Sequence, residues 1–120
     1  MDRKDFLESL AKVVVDNELV SNIQKVYGVV FPEEVQQLVS FDRHGAFVDG
    51  DKFCRLLAFD EIVNAKEELH VDFVQHAIVP LFDIGDNNFV VFNFRKGCWN
   101  KFNIVDEIIY GEKALLIEVI

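Results

Sequence analysis

Cysteine is scarce in this chain: Cys54 and Cys98 are the two thiols in 120 residues. Two thiols make a disulfide framework unnecessary and a metal cluster unexpected. A nucleophilic cysteine needs a neighbouring base to lower its pKa. Cys54 lies in an apolar run and Cys98 beside Trp99, so both are expected to be buried structural thiols. Long hydrophobic runs are missing too. No stretch approaches the roughly 18 consecutive apolar residues of a membrane span. The opening "MDRKDFLESLAKVVVDNELV" lacks the uninterrupted apolar centre and small-residue cleavage site of a signal peptide, so a reducing cytoplasm is the expected location.

Positive charge is in short supply. Twelve basic residues stand against 21 acidic ones, a formal net charge of −9. That excludes the Lys/Arg-rich surface that displaces counterions from nucleic-acid phosphate. It suits solubility, and it also suits a basic protein partner drawn in by opposite potential. Glycine-rich phosphate loops and Gly-x-Ser-x-Gly elbows are absent, so no enzyme and no cofactor is expected.

What is present is a globular composition, 51% hydrophobic with 12 phenylalanines, in one uninterrupted stretch of domain size. A single domain over residues 1–120 follows. Phe6, Leu10, Val13 and Val14 fall near helical spacing. Leu19, Val20, Ile23, Val26 and Tyr27 make a second helical stripe, closed by Gly28 at a left-handed C-cap position.

"YGVVFPEEV", Tyr27 to Val35, then places proline directly behind phenylalanine. Pro32 suits the first turn of a helix, where its missing N–H costs nothing, and Glu33 and Glu34 suit the helix's positive end. Phe31, held extended before the proline, is expected to turn inward and pin the helix entry. That helix, "PEEVQQLVSFD", should bury Val35, Leu38 and Val39, with Gly45 marking the break after it.

"KFCRLLAF" reads as a strand and "DEIVNAKEEL" as a short helix capped by Asp60. "HAIVPLFDI" and "NNFVVFNF" read as strands joined at Gly85-Asp86-Asn87, and "RKG" leads into a third strand, "CWNKFNIV". The tail "GEKALLIEVI" reads as a helix. The expected class is α+β: an antiparallel sheet with a β-meander, helices packed on it, and the N-terminal helices preceding it.

His70 and His76, with Asp72 and Asp83, invite a metal reading. On a strand the two histidines would sit roughly 20 Å apart, and on a helix they do not converge, so no metal site is expected. Gly85 comes too early in "DIGDNN" for a calcium loop. Among Phe92, Phe94, Trp99 and Phe102, most are expected in the core and a minority on a partner-facing patch.

Three segments together resemble the SUKH superfamily, the Smi/Knr-type domain. "LVSNIQKVYGVVFPEEVQQLV", Leu19 to Val39, is similar to its helix–aromatic-Gly–Phe-Pro–helix opening, carried by Tyr27, Gly28, Phe31 and Pro32. "IVPLFDIGDNNFVVFNF", Ile78 to Phe94, resembles its strand–Gly-Asp–strand hairpin around Gly85, and "WNKFNIVDEI" its following strand. "RHGA" departs from the family's usual Asn-Gly or Gly-Gly, and the closing helix is expected to be short. The resemblance implies a non-enzymatic binding domain. Many bacterial members are immunity proteins that neutralise toxins, often nucleases, by direct binding; others are regulatory or scaffolding modules. A basic toxin domain is thus the implied partner. Glu33, Glu34, Glu67, Glu68, Asp83 and Asp86, all outside the apolar periodicity, and Trp99 are the candidate contact residues.

Overall fold

A computed structural model describes residues 2–41, 45–49 and 52–120. Three helices open the chain: α1 (Arg3–Leu10), α2 (Asn17–Tyr27) and α3 (Glu33–Ser40). Their starts are chemically marked. Asp2 accepts from the Asp5 N–H at 2.8 Å, and Asp16 accepts from the N–H groups of Glu18 and Leu19 at 3.1 and 3.2 Å. These carboxylates satisfy donors that have no intrahelical partner. Gly28 ends α2 with φ +71°, the left-handed cap its position implied.

The apolar stripes are narrower than expected. α1 stops at Leu10, which leaves Val14 exposed beyond it, and Val26 is exposed on α2 while Val20, Ile23 and Tyr27 are buried.

The Phe-Pro junction is a clamp. Pro32 occupies the N-cap of α3, one position earlier than the first helical residue. Gln24 on α2 accepts the Phe31 N–H at 2.8 Å, and Gln36 on α3 donates to the Phe31 carbonyl at 2.7 Å. With its backbone held from both helices, Phe31 buries its ring against Tyr27 and Phe94.

The sheet has six antiparallel strands in sequence order: β1 (Gly45–Asp49), β2 (Lys52–Leu56), β3 (Ile78–Gly85), β4 (Asn88–Asn93), β5 (Cys98–Asn103) and β6 (Ile108–Lys113). The expected three-stranded meander is its β3–β5 portion. Gly45 opens a strand, and residues 42–44 before it lie outside the described residues.

Between β2 and β3, the expected single helix is broken. α4 (Phe59–Val63), α5 (Ala65–Leu69) and α6 (Phe73–His76) follow one another. Asp60 lies inside α4's first turn and is not its cap. Instead Glu61 reaches back to the Ala58 N–H at 3.0 Å. Tyr27 donates its hydroxyl to the Ile62 carbonyl at 2.7 Å, tying α2 to α4. The expected tail helix is half strand: Gly111–Lys113 belong to β6, and α7 (Leu116–Val119) is one turn long.

Register shows how the core is divided. Phe92 stands opposite Trp99, and Phe89 opposite Phe102, without a bulge between β4 and β5. A separation of three puts the two pairs on opposite faces. Phe31, Phe94, Phe92 and Trp99 form a run of ring contacts at 5.2–5.6 Å on one face. On the other, Phe73 of α6 packs on Phe102 at 5.8 Å. All four strand aromatics of these pairs are buried. The middle of the sheet is covered on both sides, which is why "IVPLF" and "FVVF" are nearly continuous in apolar residues.

Candidate functional site

The candidate acids lie on three separate elements. Glu33 and Glu34 begin α3, Glu67 and Glu68 belong to α5, and Asp83 lies in β3 with Asp86 in the β3–β4 turn. Their freedom differs. Asp83 accepts the Gly85 N–H at 2.9 Å and lies 3.6 Å from the guanidinium of Arg55, which also holds Glu61 through two bonds of 2.8 and 2.9 Å. Glu61 is the main reason the Arg55 pKa is raised. Burial lifts the Glu34 carboxyl above the ordinary carboxylate range, opposed by a hydrogen bond from Trp99. Glu67 is near enough to the buried Tyr27 hydroxyl to add to the rise that burial imposes on it. Glu33, Glu34, Glu67, Glu68 and Asp86 are exposed, and Asp83 is half-buried. Asp86 and Asn87 form the two-residue tip of the hairpin, with φ of +54° and +65° between paired Gly85 and Asn88.

Trp99 corrects an expectation. It is 2% exposed and meets Phe92 edge to face at 5.2 Å, so its ring belongs to the core and offers no surface patch. Phe92 and Phe102 are buried as well. Both thiols are buried; burial, aided by Asp83, pushes Cys54 up to about 12, and burial also raises Cys98. Neither is a thiolate at neutral pH. Of the histidines and aspartates weighed as ligands, His76, Asp72 and Asp83 have other partners. His76 Nε2 meets Glu107 Oε1 at 3.0 Å, and Asp72 caps α6 through the Gln75 N–H and lies 3.7 Å from Lys66.

A run of exposed apolar side chains lies elsewhere. Every residue from Val105 to Leu115 is exposed, the whole of β6 included. The run displays Val105, Ile108 (54% exposed), Ile109 (37%), Tyr110 (39%) and Leu115, with Ile117 following. Ile108 and Tyr110 share one face of the sheet and Ile109 takes the other, so the strand exposes apolar side chains on both.

Polar contacts hold this strand in place. Asn103 Oδ1 accepts the Val105 and Asp106 N–H groups, each at 3.0 Å, and so shapes the turn into β6. Asn93 donates to Asn100 at 3.0 Å, and Asn100 donates to the Tyr110 carbonyl at 3.2 Å. The Tyr110 hydroxyl donates to Asn88 at 2.7 Å, and Lys96 meets Glu112 at 3.1 Å. The two asparagines are the buried polar side chains of the described core, and both are satisfied.

Sequence reading missed this strand. Ile108-Ile109-Tyr110 is a β-branched and aromatic run before Gly111, a strand signal that the helix-compatible residues after it concealed.

Among the described residues, no group of three or more His, Cys, Asp or Glu side chains is placed to hold a metal ion, and no helix is long and apolar enough to cross a membrane. No protein-family model matches the chain, and no curated protein matches it.

Proposed function

We propose that this chain is a non-enzymatic binding domain that engages a basic protein partner through β6 and the turns flanking it. In line with the SUKH-like motifs, the partner is a toxin domain that the chain neutralises by covering it. One observation carries the reading: a firmly anchored edge strand exposes Ile108, Ile109 and Tyr110 beside Glu107 and Glu112. Apolar side chains at the centre with charges at the rim is the usual anatomy of a protein interface. The excess acid adds steering, which weakens as salt screens it.

The test is co-expression with a toxin domain encoded beside this chain. Wild type restores growth and binds the toxin with an association rate that falls as ionic strength rises. Ile109→Asp keeps the wild-type melting curve and loses protection. Failure of the wild-type chain to protect overturns the toxin reading. Binding of a harmless partner through the same strand favours a regulatory or scaffolding module.

A further inference from the structure

We infer that β6 recognises its partner by strand addition, accepting an extended segment in which apolar and basic residues alternate. This rests on the reading of β6 as the partner face and specifies what sits there.

The argument starts from the sheet order. β6 pairs with β5 on one side and is the last strand, so its outer row of backbone N–H and C=O groups faces away from the sheet. Proteins commonly block such an edge with proline, with a covering loop or helix, or with inward-pointing charge. β6 contains no proline, and all six of its residues are exposed. The device it does have is a bulge. Between the Lys101–Tyr110 and Trp99–Lys113 pairs, β6 carries one residue more than β5, with Gly111 at φ +67°. The regular part of the edge is therefore Ile108 to Tyr110, where the residues are apolar. A segment added there meets Ile108 and Tyr110 on one face of the sheet and Ile109 on the other, because side chains alternate. It is gripped from both faces, and backbone pairing sets its register.

Charge selects the occupant. Asp106 and Glu107 precede the regular stretch, and Glu112 and Glu118 follow it; Glu107 meets His76, Glu112 meets Lys96, and Lys113 lies on the strand. Lysines or arginines at alternate positions of an added strand would meet these carboxylates. A second copy of β6 would bring the same carboxylates together, and like charges across a strand pair destabilise it.

The experiment measures amide hydrogen exchange of the full chain with three synthetic peptides. One alternates lysine and valine, the second is its analogue N-methylated at every backbone amide, and the third has the same composition with proline inserted. The expected result is about tenfold slower exchange at alternate amides of β6 with the first peptide alone, since strand pairing protects hydrogen-bonded amides. Equal protection by the methylated peptide overturns strand addition, as does protection centred on α3 or α5, or no protection at all. The same alternate pattern appearing without peptide, and growing with protein concentration, assigns the edge to a second copy and overturns the proposal. These outcomes are separable from the partner-face reading. If Ile109→Asp abolishes toxin protection while the peptides leave β6 amides unchanged, the face stands and the pairing mode falls.

Discussion

β4 and β6 are both six-residue strands, both are rich in branched or aromatic side chains, and both pair with β5. Their fates are opposite. β4 is buried at every residue from Phe89 to Asn93, whereas β6 is exposed throughout. The difference is position. β4 has strands on both sides, with Phe31 stacked over one face and Phe73 of α6 on the other beside Phe102. β6 has one neighbour, and asparagine and tyrosine hydrogen bonds hold it in place without burying its apolar side chains. Hydrophobic composition therefore marks the core in one strand and the surface offered to a partner in the other.

Four tests sharpen that contrast. The largest effect is expected where both faces are covered. Phe31→Ala and Phe82→Ala should each cost about 3–5 kcal/mol, because both rings are essentially fully buried and the space left cannot refill. Urea unfolding measures this, and midpoints equal to wild type would break the assignment of these rings to the core.

Next comes the polar link between the two regions. Asn100→Ala leaves the Asn93 amide without its acceptor in the interior and releases the Tyr110 carbonyl. A loss of about 1–3 kcal/mol is expected, the cost of stranding a buried polar group. Amide exchange should quicken in β6 more than in β4; equal quickening in both would show that Asn100 is no tether.

Alkaline pH probes the covered interior. Cys54 rises from its ordinary 9.0 to about 12, so above pH 9 the folded chain keeps a proton that the unfolded chain releases. The folded state binds more protons there, and stability must fall as pH rises. The contribution is intact below about pH 9 and disappears between about 9 and 12, at up to about 1.4 kcal/mol per pH unit. Buried Tyr27 acts in the same direction. Stability measured against pH should fall less steeply for Cys54→Ala than for wild type, and superimposable profiles would contradict the burial.

The smallest effect belongs to the edge. Ile109→Thr should change stability by no more than about 0.5 kcal/mol, as surface changes usually do. The same substitution should weaken partner binding measurably. A loss as large as that from Phe82→Ala would mean that β6 is held by its apolar side chains after all.

How much of this was legible differs by feature, for physical reasons. The Phe31-Pro32 entry, the Gly28 cap and the Asp86-Asn87 turn were readable because each is decided by φ preferences and hydrogen bonds within a few residues. Asp60 misled because an N-cap signal fits several neighbouring positions, and Glu61 supplied the bond instead. Trp99 misled because its aromatic character suits a core and an interface equally. The candidate acids were found as residue types, but not which of them is engaged: Arg55 reaches Asp83 from another strand, while the other five stay exposed.

By itself, then, the sequence determined the α+β class, the clamp between α2 and α3, the hairpin of β3 and β4 and the excess of acid, all of which follow from local conformational preference, periodicity and composition. Only the tertiary structure decided that Trp99 lies inside and Ile108, Ile109 and Tyr110 lie outside. Burial depends on what the rest of the chain brings against a strand: two neighbours and a covering on both faces for β4, a single neighbour for β6.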